Sequence, residues 1–123
     1  MTETKRATIL VIDDEAIIRE AMIDLLEVSG HEVVTAADGR SAVAYVADMT
    51  NRVDLVFLDL KMPDMSGGAV LGELRLLRPQ VPVVITSGYS REDAVQDLAD
   101  GHIDFLQKPF TFHSLRDKVA QYL

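Results

Sequence analysis

Residues 8–15 read TILVIDDE, an apolar run that leads directly into three acidic residues. The run carries no alternation of polar and apolar residues, which is typical of a strand in a sheet that is covered on both faces. Short runs rich in apolar and β-branched residues recur at 33–35, 55–58, 83–86 and 105–106. We therefore predict five strands, the first of them over residues 8–12.

Stretches with helical spacing separate the predicted strands. Apolar residues recur three or four positions apart around residues 17–26, 42–49, 70–77, 94–98 and 112–122. Glycine and proline fall between these segments, and the pair Ser90 and Asp93 predicts a capping box at the start of the fourth helix. Five strands that alternate with five helices favour a parallel α/β sheet with helices on both faces.

Length, charge and cysteine content exclude several classes of protein. The chain has 123 residues with 12 basic and 20 acidic side chains, a net charge of −8, and no cysteine. The acidic balance argues against direct binding of nucleic acid or anionic membranes, and the missing cysteines exclude disulfides and thiolate metal sites. We expect a cytoplasmic protein with a flexible N-terminal extension at residues 1–6 and one domain at 7–123.

Charged and hydroxyl side chains follow four of the predicted strands. Asp13 and Asp14 come after the first strand, Asp59 after the third, Ser87 at the end of the fourth and Lys108 after the fifth. The carboxyl ends of parallel strands share one edge of the sheet, so these side chains should converge. Crowded carboxylates repel one another unless a hard cation such as Mg²⁺ neutralises them. Such a cation beside a lysine and a hydroxyl favours a phosphoryl group, and one carboxylate could act as its nucleophile.

Four strings carry a resemblance to a known family. TILVIDDE, VDLVFLDLKMPDMSG, VPVVITSGY and FLQKPF resemble, in order and spacing, the receiver domain of two-component response regulators. The resemblance covers nearly the whole chain and implies a five-stranded parallel sheet of flavodoxin-like order 2-1-3-4-5 with five covering helices. It also implies a phosphorylation-dependent switch that takes its phosphoryl group from a histidine kinase or a histidine phosphotransfer domain.

The resemblance implies an acceptor and a metal site. Asp59 matches the aspartate that accepts the phosphoryl group and also contacts the metal. Asp14 matches a direct ligand of Mg²⁺ (or Mn²⁺), and Asp13 matches a carboxylate that acts through water. The backbone carbonyl of Lys61 matches a third ligand.

The resemblance also implies groups that bind and sense the phosphoryl group. Lys108 matches the lysine that pairs with phosphoryl oxygens, and its bond to Pro109 is expected to be cis. Ser87 matches the hydroxyl that moves on activation, and Phe105 matches the aromatic side chain that changes rotamer with it. The family often has threonine followed by alanine where this chain has Ser87 and Gly88, and tyrosine is also common at the position of Phe105.

Two further expectations concern how long the phosphoryl group persists and which surface of the receiver binds a downstream partner. Lys61 and Tyr89 lie two residues beyond Asp59 and Ser87, where bulky side chains should hinder an attacking water molecule. The resemblance implies an output face made of the predicted fourth helix, fifth strand and fifth helix. A downstream effector or a second copy of the chain would bind there.

The remaining motifs have simpler interpretations. Residues 66–68 read SGG but lack the lysine and the spacing of a phosphate loop, so we predict that they begin the third helix. His31, His102 and His113 show no metal-ligand spacing and are expected at the surface. Phe112, with Leu115 and Tyr122, is expected to form the packed face of the last helix.

Other functions remain as alternatives at this stage. A phosphatase with an aspartate nucleophile usually carries two acids separated by one residue after the first strand, whereas Asp13 and Asp14 are adjacent. A flavin or nucleotide carrier would have amides and hydroxyls there to bind a phosphate, whereas Asp13 and Asp14 would repel one. A receiver that only docks partners would lack one of the key residues, and this sequence has them all.

With no DNA-binding region after Leu123, we expect either a stand-alone receiver or one from a longer chain. Residues 76–90 and 105–119 resemble receivers at the carboxyl end of hybrid sensor histidine kinases.

Overall fold

The computed structural model describes residues 6–88 and 103–123, which contain five strands and four helices. The strands are β1 (Thr8–Ile12), β2 (Glu32–Ala36), β3 (Leu55–Asp59), β4 (Val83–Ser87) and β5 (Ile103–Gln107). The helices are α1 (Ala16–Val28), α2 (Gly39–Ala47), α3 (Gly67–Leu77) and α4 (Phe112–Tyr122). The predicted fourth helix and its capping box lie outside the described residues, as does His102. Helix α4 is therefore the fifth helix of the sequence-based prediction.

The five strands form one parallel sheet in the order β2-β1-β3-β4-β5, as the resemblance implied. Strands β1, β3 and β4 lie inside the sheet and are buried along their whole length. Burial on both faces explains why their sequences are apolar without alternation. The edge strand β2 is only partly buried and is less apolar. The strand order reverses beside β1, which places a crevice at the carboxyl ends of β1 and β3.

Alternate residues of each strand supply two separate apolar layers. One layer packs against α2 and α3, and the other packs against α1 and α4. The first includes Leu10, Ile12, Val56, Leu58, Ile85 and Phe105, and the second includes Ile9, Val11, Leu55, Phe57, Val84 and Leu106. The sheet is thus held rigidly from both sides, and its carboxyl edge is left to carry polar side chains.

Two apolar residues within the stretches of helical spacing are exposed rather than packed on the sheet. Helix α1 buries Met22 and Leu26, but Ile17, in the same stretch of helical spacing, is 78% exposed. Helix α2 ends at Ala47, before Met49, which is 66% exposed. The Asp48 carboxylate there accepts hydrogen bonds from the Thr50 amide and hydroxyl, a local turn that competes with further helix.

The exposure of Phe112 and of His31 also differs from expectation. Phe112 is 41% exposed, with the Arg116 guanidinium 5.9 Å from its ring centroid, so it is not part of the packed face of α4. His31 is half-buried rather than solvated, and its Nδ1 accepts a hydrogen bond from the Ala7 amide at 3.2 Å. His113 is exposed, as expected.

The predicted start of α3 is confirmed. Ser66 is the N-cap residue, and its hydroxyl accepts a hydrogen bond from the Ala69 amide at 3.1 Å. Residues 66–68 therefore begin a helix rather than wrap a phosphate. In residues 6–88 and 103–123, no helix is long and apolar enough to cross a membrane.

Candidate functional site

The site forms where three neighbouring strands end. Asp13 follows β1, Asp59 is the last residue of β3, and Ser87 is the last residue of β4. The register brings Asp59 beside Thr86 on the adjacent strand, and the Asp13 amide extends the β1–β2 pairing through a hydrogen bond to the Ala36 carbonyl. The backbone of the sheet thus fixes where each functional side chain starts.

Three carboxylates meet at this edge. Asp13, Asp14 and Asp59 each offer an oxygen within 4.8 Å of the other two. Asp13 and Asp59 are buried and Asp14 is exposed, so the cluster opens to solvent on one side. Carboxylate oxygens are the ligands that Mg²⁺ prefers, and a divalent cation would remove the mutual repulsion of the three acids. The donor set therefore fits the metal that the sequence predicted.

Lys108 reaches the acids from the segment after β5. Its Nζ donates to Asp13 Oδ2 at 2.8 Å and lies 3.6 Å from Asp59 Oδ2. Its backbone amide donates to the Ser87 carbonyl at 2.7 Å, and the peptide bond to Pro109 is cis, as predicted. Burial by itself would lower the pKa of Lys108, but the hydrogen bond to Asp13 and the nearby acidic charges outweigh burial and raise that pKa. Lys108 is accordingly a cation at this site.

The environment of Asp59 destabilises its charged form. Burial is the main reason that the pKa of Asp59 is raised, and the charges of Asp13 and Asp14 add to it. Lys108 and a 3.3 Å hydrogen bond from the Lys61 amide to Asp59 Oδ1 partly offset these effects. An ionised Asp59 thus has an incompletely neutralised oxygen, which suits a nucleophile or a metal ligand.

Asp13 is held by contacts that sequence reasoning missed. The Glu15 amide donates to Asp13 Oδ1 at 2.9 Å, and Arg19 Nη1 donates to the Asp13 carbonyl at 2.8 Å. Arg19 lies in α1, six residues along the chain, and no motif in the sequence marks it. The Glu15 amide and Lys108 thus each bind one carboxylate oxygen of Asp13, and Arg19 binds its backbone carbonyl.

A pocket of about 500 Å³ opens over the acids. Its lining residues are Asp14, Glu15, Asp59, Lys61, Ser87, Gly88 and Lys108. The structure thus brings most of the predicted site residues together. Ser87 lines the pocket, whereas the adjacent Thr86 does not.

Of the remaining predicted residues, Phe105 does not line the pocket, and Tyr89 cannot be placed. Phe105 is in β5, opposite Ile85 of β4, and its side chain is 8% exposed in the layer that faces α2 and α3. Tyr89 lies outside the described residues, so its predicted place beside Ser87 stays a prediction.

Most of the chain matches one known protein family. Residues 9–120 match the family model described as the response regulator receiver domain. The chain belongs to this family. The match runs from the second residue of β1 through most of α4 and includes every predicted site residue.

Curated relatives of the receiver include kinases, regulators and phosphotransferases. The chain is 34% identical to the sensor kinase CckA of Brucella abortus over 95% of its own length and 12% of that protein. It is 39% identical to the probable transcriptional regulatory protein TcrX of Mycobacterium tuberculosis, over 88% of its length and 46% of that protein. It is 32% identical to sporulation initiation phosphotransferase F of Bacillus subtilis, over 94% and 92% of the two chains. The chain therefore spans less than half the length of CckA and TcrX.

Solved structures of receiver domains share the fold. The chemotaxis response regulator CheY4 of Vibrio cholerae matches with a TM-score of 0.87 at 30% identity, over 97% of this chain and all of that one. The receiver domain of the hybrid histidine kinase CckA matches with a TM-score of 0.82 at 31% identity, over 95% and 99% of the chains. The response regulator TrrA of Thermotoga maritima, in complex with Mg²⁺ and BeF, matches with a TM-score of 0.82 at 34% identity, over 95% and 99%.

Proposed function

We propose that Asp59 accepts a phosphoryl group from a histidine kinase or a histidine phosphotransfer domain. The observation that carries this proposal is the position of Asp59, a buried carboxylate between two other acids and the Lys108 cation at the floor of an open pocket. Asp14, Asp59 and the Lys61 backbone carbonyl would hold Mg²⁺ or Mn²⁺, with Asp13 acting through water. The bound cation would neutralise charge on the phosphoryl oxygens.

The transfer exchanges one bond to phosphorus for another. An Asp59 carboxylate oxygen attacks the phosphorus of phosphohistidine, the phosphorus–nitrogen bond breaks, and an acyl phosphate forms on Asp59. The bonding pair passes to the imidazole nitrogen, which takes a proton from solvent. Lys108 binds a phosphoryl oxygen of the product. The raised pKa of Asp59 suits this role, because a carboxylate that is poorly stabilised in the free protein is a better nucleophile.

Phosphorylation would then change the surface that the receiver presents. Ser87 lines the pocket, and its hydroxyl would move to the phosphoryl group. Phe105 lies on the neighbouring strand, two residues before Gln107, which pairs with Ser87. A change of its rotamer would alter the output face made of the predicted fourth helix, β5 and α4, where an effector or a second copy would bind.

Two side chains would set the lifetime of the phosphoryl group. Lys61 is exposed and lines the pocket, two residues beyond Asp59. With Tyr89 it would hinder the water that attacks the acyl phosphate. Replacing both with alanine should accelerate loss of the phosphoryl group, and an unchanged rate of decay would contradict this role.

We also propose that the receiver is part of a hybrid sensor histidine kinase. The likeness to the CckA receiver and the resemblance of residues 76–90 and 105–119 to such receivers support this placement. The alternative is a stand-alone regulator, since phosphotransferase F is similar over 92% of its length. An antibody against this domain tests the choice in source cells: a band far above 13.6 kDa supports a longer protein, and one near 13.6 kDa supports the alternative.

The transfer is tested with a phosphorylated histidine phosphotransfer domain as donor. We expect the labelled phosphoryl group to move from the donor to the wild-type receiver in the presence of Mg²⁺. With the Asp59→Asn variant in place of the wild type, the label should remain on the donor. Steady release of the chromophore from an aryl phosphate would instead favour the phosphatase alternative.

A further inference from the structure

We propose that Asp64 is a positioning residue for the divalent-cation site, because it ties the acceptor loop to the N-terminus of α2. The acceptor loop is defined here as residues 60–66, which connect Asp59 to α3 and include Lys61. This inference rests on the proposed function, since it assigns a purpose to a residue that supports the loop carrying the Lys61 carbonyl.

The base of the acceptor loop is closed by its own backbone. The Gly67 amide donates to the Leu60 carbonyl at 3.1 Å, and Lys61 and Ser66 form an isolated antiparallel bridge. A Cβ at Gly67 would lie 2.6 Å from Leu60 Cδ2, so the two ends of the loop are in direct contact. These contacts fix the base of the loop but do not fix its tip.

The tip is fixed by Asp64. Its Oδ1 accepts a hydrogen bond from the Gly39 amide at 2.8 Å, and its Oδ2 accepts one from the Arg40 amide at 3.0 Å. These are the first two residues of α2, 25 and 24 positions away in sequence, whose amides have no partner within the helix. The amides and the positive end of the helix stabilise the carboxylate, in agreement with the lowered pKa of Asp64.

The two segments also approach closely in space. A Cβ at Gly39 would lie 2.9 Å from Met65 Cβ and 2.9 Å from Val70 Cγ2. Met62 and Met65 of the loop pack against the apolar layer that includes Ala42 and Val46 of α2. The loop is therefore held at its base, along its apolar side and at its tip, and Asp64 is its polar anchor.

Helix α2 contains a matched control for this anchor. Asp38 is the N-cap residue of α2, and its carboxylate accepts from the Ser41 amide at 2.7 Å. Asp38 and Asp64 thus stabilise the same helix end with the same chemical group. Only Asp64 belongs to the acceptor loop. If the loop positions the metal site, loss of Asp64 should therefore change the affinity for Mg²⁺, whereas loss of Asp38 should not.

The test is a calorimetric titration of the receiver with Mg²⁺ at a temperature where every variant is folded. We expect Asp64→Ala to weaken Mg²⁺ binding by roughly tenfold, the low end of what outer partners of metal ligands contribute. Asp38→Ala removes the same charge and should leave the Kd for Mg²⁺ unchanged, although both variants should melt at a lower temperature. Asp64→Asn keeps one acceptor oxygen and should be intermediate.

The outcomes are distinct. A wild-type Kd in Asp64→Ala, or an equal loss of affinity in Asp38→Ala, would overturn the positioning role while leaving the proposed function intact. If Asp64→Ala does not fold, a wild-type Kd in Asp64→Asn would overturn the role. A wild-type receiver that takes up no Mg²⁺ would instead contradict the proposed function itself.

Discussion

Lys108 is bound more closely to Asp13 than to Asp59. Its Nζ lies 2.8 Å from Asp13 Oδ2 and 3.6 Å from Asp59 Oδ2, so one cation is shared unequally by two buried acids. The ammonium group thus already lies beside the acid to which the phosphoryl group would be added. A divalent cation in the same cluster would bring a second positive centre close to Lys108.

Lys108 should therefore oppose metal binding while it favours phosphoryl transfer. We expect Lys108→Met to tighten Mg²⁺ binding by roughly threefold to tenfold, since a charge near the metal is lost. Phosphoryl uptake should slow on the order of 100-fold, because the phosphoryl oxygens lose their ammonium partner. Calorimetric titration measures the affinity for Mg²⁺, and the intact mass followed over time measures the rate of phosphoryl uptake.

Arg116→Met is a suitable control for that experiment. Arg116 is exposed on α4, does not line the pocket, and its loss changes the net charge equally. The control should leave both the Kd and the rate unchanged. Weaker Mg²⁺ binding in Lys108→Met would show that the lysine organises the acids rather than competing with the metal.

Asp59 should reduce the stability of the metal-free protein. Burial raises its pKa, so the folded state is favoured when Asp59 is protonated, and this contribution is lost as pH rises through its folded-state pKa. We expect Asp59→Asn to raise the Tm by a few degrees at neutral pH without metal, and by less in acid. Calorimetric melting at several pH values, with a chelator present, measures the difference.

Magnesium should reverse that difference. Binding to the folded state stabilises the wild-type receiver, whereas the variant has lost one carboxylate ligand and gains less. A variant that melts below the wild type at neutral pH without metal would contradict the stability argument.

Asp104 should stabilise the contact between β5 and α4. Its carboxylate accepts from Lys118 Nζ at 2.9 Å, from the Tyr122 hydroxyl at 2.6 Å and from the Phe105 amide at 2.7 Å. Burial would raise the pKa of Asp104, but these bonds outweigh burial and lower it. We expect Asp104→Asn to reduce the free energy of unfolding by about 2 kcal/mol at neutral pH, measured by denaturant titration.

The pH dependence of that loss has a definite sign. A lowered pKa contributes stability above the unfolded-state pKa and loses it as pH falls through the folded-state value. The difference in the free energy of unfolding between the wild type and Asp104→Asn should therefore shrink below pH 3.8, the ordinary pKa of aspartate. Asp117→Asn, at an exposed position of the same helix, should show no comparable loss. If that difference in the free energy of unfolding persists unchanged in acid, packing rather than charge explains the loss of stability.

The sheet and the positions of its polar residues could be predicted from the sequence. Central strands such as β1 and β3 are apolar without alternation because they are buried on both faces, and parallel strands necessarily end at one edge. The convergence of Asp13, Asp59 and Ser87 followed from this geometry alone. The strand order and the roles of these residues required the family resemblance.

Contacts between distant segments could not be predicted. Asp64 and Gly39 are 25 residues apart, and neither the spacing nor the composition of the loop indicates that they meet. Ile17 and Met22 are both apolar and both fit the helical spacing of residues 17–26, so periodicity could not show that Met22 would be buried and Ile17 exposed. Only the packing of α1 on the sheet decides between them.

The most direct test of the account is the intact mass of the protein after incubation with acetyl phosphate, with Mg²⁺ or with a chelator. The account predicts a gain of one phosphoryl group with Mg²⁺, little gain with the chelator, and none when Asp59→Asn is treated in the same way. Labelling of Asp59→Asn at the wild-type rate, or no gain by the wild type with Mg²⁺, would contradict it.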